Sequence, residues 1–542
     1  MDNHYFFVLY LNVSDFILLV TRMLFESIKT LRKIFLAAFV LLFCCAYIYA
    51  CDHESRACMG VPILDSTTEY TTPEHKDFSG YITHYDQPAA IDSTTNTIYI
   101  SQNFDKISSY VDFEGMLKLS DPEHHMYFAP DDAFADIKSA AREGHPFRLI
   151  VTDGSEKYTE YSVVFTSLPV VSIKGDLSYL RASEEEEEGD KPVEIFAGDI
   201  YVWTPYDPEL RAYTTKSSAL EWHVRGNSAA EHAKKPWKLA LKNSDGENAD
   251  LNLFGLGADD DWIFNAIAFD HTRIRERLFI DLWNDMAAET DYNNRMTDGQ
   301  YAEVVMNGEY HGLYMVQRRI DAKYLGLTEH DILLKGKRTT SMECVYDAYE
   351  IIHTNLEHDY IYLLMENIFN RSDMTSFNLK NFIDTNMFIQ LAYARDNHLF
   401  NNVYYVLRAS IEGYKTTLTL WDTDISFGKS TTDVIDYERC MYNSMERPDT
   451  DNIRKLYPDY DVMAYERWCQ LRQGIFSEEY ISDTINDIMA EITLTGSLSR
   501  DYEKWNVPAD TPDSLEYLKN FISEKLLWCD DHFAEEASES RQ

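Results

Sequence analysis

Three stretches of the chain carry residue types that could do chemistry together. "ARDNHLFNN" puts Asp396 five residues ahead of Asn401. "LTLWDTDISFG" puts Asp422 at the end of an apolar run, Asp424 two residues on, and Phe427-Gly428 behind them. "EWHVRGNSAAEHAKKPWKLALK" gathers His223, Arg225, His232, Lys234, Lys235, Lys238 and Lys242 within a strongly acidic chain. Phosphoryl transfer needs such parts: a carboxylate near the acceptor hydroxyl, oxygen ligands for Mg²⁺, and cations on the phosphates. The D-x-x-x-x-N spacing of Asp396 and Asn401 is that of a kinase catalytic loop. An Asp directly after an apolar strand stands where a metal ligand would stand. Lysine point charges or a guanidinium fork suit phosphate oxygens. The alternative for the basic stretch is a surface patch paired with acids elsewhere.

The elements that must position these residues follow from periodicity. "PWKLALK" alternates, with Trp237, Leu239 and Leu241 on one face and Lys238, Ala240 and Lys242 on the other. "DWIFNAIAFDHTRIRERLFIDLWNDMA" predicts a long amphipathic helix, with the acids of Asp259-Asp260-Asp261 at its start. "YAEVVMNGEYHGLYMVQRRID" predicts a β-hairpin turning at Asn307-Gly308. Residues 357–394 read as largely helical, and "NVYYVLRA" and "KTTLTLW" as strands around Glu412-Gly413. Residues 460–535 read as amphipathic helices. The fold class is therefore α+β, β-rich in its first half and helical in its second.

The rest of the chain sets the context. It has 542 residues, 45% of them apolar, and a formal net charge of −42. Such acidity excludes nucleic acid as a partner, because a phosphate backbone needs a basic surface. It keeps a protein soluble, and a sharper reading is an affinity for basic or Ser-rich protein substrates. Residues 34–50, "IFLAAFVLLFCCAYIYA", follow Lys29, Arg32 and Lys33 in the manner of a secretory signal, with Met23 as an alternative start. The run closes "IYAC", so residues 1–51 read as a targeting segment whose Cys51 would be lipidated in a bacterial cell envelope. A retained membrane-anchor helix is the competing reading. Residues 52–80 read as a tether and residues 81–167 as a small Ig-like β-sandwich. The Glu184–Glu188 run is a solvated loop. The cysteines beyond Cys51 are widely spaced without a CxxC, which argues against zinc. His124-His125 lacks a third ligand nearby in sequence.

From about residue 168 to 535 the chain resembles the spore-coat protein H (CotH) kinases, an atypical branch of the protein-kinase-like fold. Five blocks in order carry the resemblance: "HVRGNSAAEHAKKPWKLAL", "DWIFNAIAFDHTRIRERL", "VVMNGEYHGLYMVQRRID", "DNHLFNNVYYV" and "LWDTDISFG". Residues 536–542 are a tail. The resemblance implies a secreted or spore-surface enzyme that uses ATP and Mg to phosphorylate Ser or Thr. It implies Asp396 as catalytic base, Asp422 as the metal-binding counterpart of the DFG aspartate, and Asn401 and Asp424 as further ligands. Arg225, Lys235 and Lys238 become the phosphate-binding candidates, with the choice of lysine open. Arg275 holds a structural carboxylate in this reading. One position departs from the family pattern: Gln317 in "YMVQRRID" stands where Glu is usual. If that Glu pairs with the phosphate-binding lysine, Gln317 keeps a hydrogen bond but loses the charge. A non-catalytic cell-surface scaffold with a pseudokinase-like domain is the alternative, and a two-carboxylate glycosidase a more distant one.

Overall fold

The computed structural model describes residues 76–102, 117–129, 143–155, 157–182, 194–207, 212–226, 229–292, 294–337, 349–369, 374–397, 401–429, 450–508 and 510–541, with short strands at 57–58, 61–62 and 72–73. The signal-like run, Cys51, the Glu184–Glu188 loop, Cys344 and Cys440 lie outside the described residues. Among the described residues no helix is long and apolar enough to cross a membrane. The chain divides into two compact units, the first made of Met1–Asp86, Asp112–Ile137 and Phe147–Glu160 and the second of the remainder. In the first, Phe147–Thr152 pairs antiparallel with His125–Phe128, and Ile82–His84 with Leu117–Leu119.

The second unit is mixed α+β. Its first layer is a closed barrel of β1 (Val170–Ala182), β2 (Glu194–Asp207), β3 (Ala212–Val224), β4 (Trp237–Lys242), β5 (Asp261–Asn265), β6 (Gly299–Met306) and β7 (Glu309–Arg318). The strand order is β1-β2-β3-β4-β5-β7-β6, and closure comes from parallel pairing of β6 with β1. Alternation sends Trp222, Leu239, Leu241, Trp262, Phe264 and Val316 inward, all buried. Each stabilises the barrel by about 2–3 kcal/mol on area grounds. The Trp222 ring lies so close to β1 that a Cβ on Gly175 would sit 2.4 Å from it, so only glycine fits there.

The hairpin β6–β7 turns at Asn307-Gly308 with φ of 50° and 76°, the double left-handed turn that an Asn-Gly pair favours. Residues 261–265 form a strand, not the start of the expected helix. The reason is two-sided burial: Trp262 and Phe264 face the barrel core, while Ile263 faces a separate apolar cluster. A short apolar run buried on both faces has no distinctive period. The helix proper, α1 (Arg275–Ala288), begins ten residues later, after Asn265.

Behind the barrel stands a four-stranded sheet in the order β9-β8-β10-β11, made of β8 (Ile332–Gly336), β9 (Tyr349–His353), β10 (Val403–Ser410) and β11 (Gly413–Leu420). Ile263, Ile320, Leu333, Tyr404, Val406 and Trp421 pack together where sheet and barrel meet. Helices α2 (His358–Phe369) and α3 (Leu379–Ala392) precede β10. The body is completed by α4 (Thr450–Leu456), α5 (Tyr460–Leu471), α6 (Glu478–Thr493), α7 (Ser497–Trp505) and α8 (Leu515–Ser540). Phe388 of α3 ties the body together, with ring centroids 4.4 Å from Phe279 of α1 and 5.5 Å from Phe476. Asp501 of α7 clamps the hairpin: it accepts from Lys234 Nζ at 2.6 Å, Arg273 Nε at 2.9 Å and the Leu313 amide at 2.9 Å. Burial would raise its pKa, but Lys234 and Arg273 outweigh burial and hold it below the usual carboxylate range.

Candidate active site

Two loops carry the expected acids, and local hydrogen bonds fix both. Helix α3 ends on Tyr393 in a left-handed conformation, φ 47°. Arg395 and Asp396 form the turn that follows. Asn401 donates from Nδ2 to the Asp396 carbonyl at 2.7 Å, so the D-x-x-x-x-N spacing closes a loop on its own backbone. Asn397, fully buried, donates to the carbonyls of Trp421 at 2.7 Å and Asn402 at 3.2 Å. That bond staples the first loop to the second. Asp422 follows β11 with φ 57°, a left-handed position that Asp tolerates better than most residues. The Phe427 amide donates to the Ala392 carbonyl at 2.6 Å, and Phe427 packs on Phe279 of α1. A Cβ on Gly428 would lie 2.6 Å from the Tyr517 hydroxyl, so the loop can pass α8 only as glycine. Left-handed non-glycine residues at 393, 402, 422 and 427 thus bracket the site, a pattern of local strain common at functional loops.

The acids converge. Burial, and after it the charges of Asp422, Glu276 and Asp396, push the Asp424 carboxyl well above the usual carboxylate range. Glu276 in the first turn of α1 belongs to the same cluster and is nearly fully buried. Burial and Asp422 push it up to about 8, with Gln317 and Arg225 partly opposing them. Glu276 accepts from Gln317 Nε2 at 3.0 Å and from Asn265 Nδ2 at 2.5 Å. The residue opposite Gln317 is therefore a carboxylate on α1 and not a lysine.

The cations separate into two groups. Arg225 stands just past β3 with its guanidinium 5.7 Å from the Trp421 ring, next to Asp422 in the chain, and its charge reaches Glu276. Lys238 sits in one cross-strand row, His223–Lys238–Ile263–Gln317, so it shares a sheet face with Gln317. Its ammonium lies 4.0 Å from Asp261. Lys235 instead donates to the Ala230 carbonyl at 2.6 Å, a local backbone bond. The structure thus brings Asp396, Asp422, Asp424, Gln317 and Arg225 together with Glu276, closes Asn401 onto the Asp396 backbone, sets Lys238 in the strand row of Gln317, and holds Lys235 in its own loop.

Sequence reasoning missed Glu276. The signal was the Arg-Glu step in "TRIRERL", but which helical residue faces the site depends on packing. Arg275 does hold structural carboxylates. It is fully buried, bonds to Asp270, and lies 2.6 Å from Asp513 as an ion pair without hydrogen-bond alignment. Lys429, buried just past Gly428, donates to Asp513 at 2.8 Å. A second acidic group, Asp250, Asp259 and Asp260, is centred on an ammonium: Lys323 pairs with Asp250, with Asp259 at 3.3 Å and with Asp260 at 3.4 Å.

The raised carboxyls make stability depend on pH in the metal-free protein. Between an unfolded value near 4.5 and a folded value of about 8, the folded state binds more protons at Glu276 than the unfolded state. Stability is then full below that window and falls as pH rises through it, by on the order of a few kcal/mol. Urea unfolding in EDTA at several pH values should trace this slope, and Glu276→Gln should flatten it. A wild-type slope of the opposite sign would refute the assignment.

The second unit thus joins a strand barrel, a second sheet and a set of helices, with the acids on α1 and on the loops that follow α3 and β11. Residues 222–529 match the family described as CotH kinase protein, and the chain belongs to that family. Among curated proteins none matches the chain.

Proposed function

We propose that this chain is an exported protein kinase that transfers the γ-phosphoryl group of ATP to Ser or Thr of a secreted or cell-envelope protein. The observation that carries the reading is the convergence of Asp396, Asn401, Asp422, Asp424 and Glu276, with Arg225 at their side. Donors of this kind are hard oxygens, which suit Mg²⁺. The raised carboxyls of Asp424 and Glu276 report uncompensated negative charge that a divalent cation would relieve. Asp422, Asp424 and the Asn401 carbonyl oxygen would hold it. When bound, Mg²⁺ supplies charge neutralisation at the phosphates. Asp396 accepts the acceptor hydroxyl proton as the oxygen attacks phosphorus and ADP leaves. Arg225 and Lys238 hold phosphate oxygens.

Net charge of −42 supports a basic or Ser-rich protein substrate, whose capture should weaken steeply with salt. Export through the 34–50 segment, anchoring at Cys51 and an Ig-like spacer at 81–167 complete the proposal. Purified protein with labelled ATP and Mg²⁺ should acquire phosphate on Ser or Thr, and EDTA should abolish the label. Binding of ATP–Mg²⁺ without transfer would favour the scaffold alternative. Absence of binding would overturn the kinase reading.

The two lysines give a separate test. Lys238→Ala should weaken ATP–Mg²⁺ binding by about tenfold or more, the scale of a charged hydrogen bond. Lys235→Ala should leave it within a factor of about two. Calorimetric titration of both variants decides, and the reverse ranking would return the phosphate contact to Lys235.

A further inference from the structure

We propose that Asp250, Asp259 and Asp260 form a Ca²⁺ site, and that the Lys323 ammonium among them is a tethered cation that Ca²⁺ displaces. The site uses none of the acids on the loops that follow α3 and β11. It is built from the loop between β4 and β5 and from the segment that leads from β7 to β8.

The backbone gathers the three acids. Leu251 and Asp259 exchange hydrogen bonds of 3.0 and 3.3 Å, which close the β4–β5 loop and set Asp250 beside Asp259 and Asp260. One carboxylate oxygen from each residue lies within 4.8 Å of the others. Two oxygens on a single Ca²⁺ stand at most about 5 Å apart, twice a bond of roughly 2.3–2.6 Å. The spread of the three oxygens therefore fits one Ca²⁺ coordination sphere. Mg²⁺, with bonds of about 2.0–2.1 Å, spans only about 4.2 Å. All three donors are hard oxygens, the type that Ca²⁺ takes.

Asp259 calls for more than the lysine supplies. Its side chain is 1% exposed. Oδ1 accepts from the amides of Asp260 at 2.9 Å and Asp261 at 3.3 Å, and from Lys323 at 3.3 Å. Oδ2 is buried and has no hydrogen-bond partner. A buried carboxylate oxygen left unpaired is costly. Bidentate coordination of one ion would use both oxygens. Lys323 is the opposite case. Its side chain is 42% exposed, so the ammonium can withdraw into water on its flexible stem. Three carboxylates and one ammonium leave the group with two net negative charges, the complement of a divalent ion. Ca²⁺ in this place would also tie the β4–β5 loop to the segment whose Leu325 and Leu327 pack on the cluster between barrel and second sheet.

The test is tryptophan-sensitised luminescence with Tb³⁺ as probe and Ca²⁺ as competitor. Trp262 is a built-in sensitiser, because its Nε1 donates to the Asp259 carbonyl at 3.1 Å. Wild-type protein should bind Ca²⁺ weakly, at about 10⁻⁴–10⁻³ M. Lys323→Met should tighten binding by about tenfold or more, since the competing charge is gone and all three carboxylates stay. Ca²⁺ should then raise the melting temperature of Lys323→Met more than that of wild type. Asp250→Asn should weaken binding by about tenfold. Asp250 is 55% exposed, so that variant keeps its fold. Asp422→Asn should leave all of these shifts in place, which separates this ion from one held by the proposed kinase centre. A folded Lys323→Met that binds Ca²⁺ no more tightly than wild type overturns the exchange and leaves Lys323 as a permanent counter-ion. A Tb³⁺ signal that ignores Asp250→Asn but disappears with Asp422→Asn overturns the site itself.

Discussion

Asp396→Asn should slow phosphoryl transfer by about 10²–10⁴-fold, the usual contribution of a positioned general base. ATP–Mg²⁺ affinity should stay close to wild type. The substitution preserves shape, and Asn401 is anchored to the backbone carbonyl of residue 396 rather than to its side chain. The loss should therefore fall on the chemical step in single-turnover labelling, while calorimetric binding is retained. Asp422 should behave in the opposite way. Asp422→Asn keeps the left-handed backbone at φ 57°, which Asn accepts and Ala does not, so it removes a metal ligand without adding strain. It should weaken metal-dependent nucleotide binding before any rate is measured. If Asp396→Asn transfers phosphate at the wild-type rate, Asp396 is not the base.

Arg275→Met should be the most destabilising single change in this part of the molecule, at about 3–5 kcal/mol by urea unfolding. The guanidinium is fully buried and serves Asp270 and Asp513 at once. Its loss leaves Asp270 without that partner in a buried position. Asp513 retains Lys429. Arg275→Lys keeps the charge but not the planar fork, and should recover only part of the loss. Arg275 also donates from Nε to the Phe427 carbonyl at 3.4 Å, on the loop that carries Asp422 and Asp424. Loss of stability should therefore come with weaker metal-dependent nucleotide binding in protein that still folds. A cost below about 1 kcal/mol would mean the network relaxes around a neutral side chain.

The sequence alone determined the features that depend on local spacing. Asn307-Gly308 could only turn one way between two alternating runs, and the hairpin is there. The face of β4 that carries Leu239 and Leu241 followed from a period of two. Asp396 with Asn401, and Asp422 at a strand end, were legible because each pair of positions is set by a short loop. The family match over residues 222–529 covers the span in which these blocks lie. Tertiary structure decided everything that depends on which surfaces meet. It made Trp262 a barrel strand, because both faces of that run are buried and no period betrays it. It set Lys238 in the row of Gln317 through cross-strand register, which no spacing along one strand records, and turned Lys235 to the Ala230 carbonyl. It also set Glu276 opposite Gln317, forty-one residues apart along the chain, because a helix and a strand were packed against each other there.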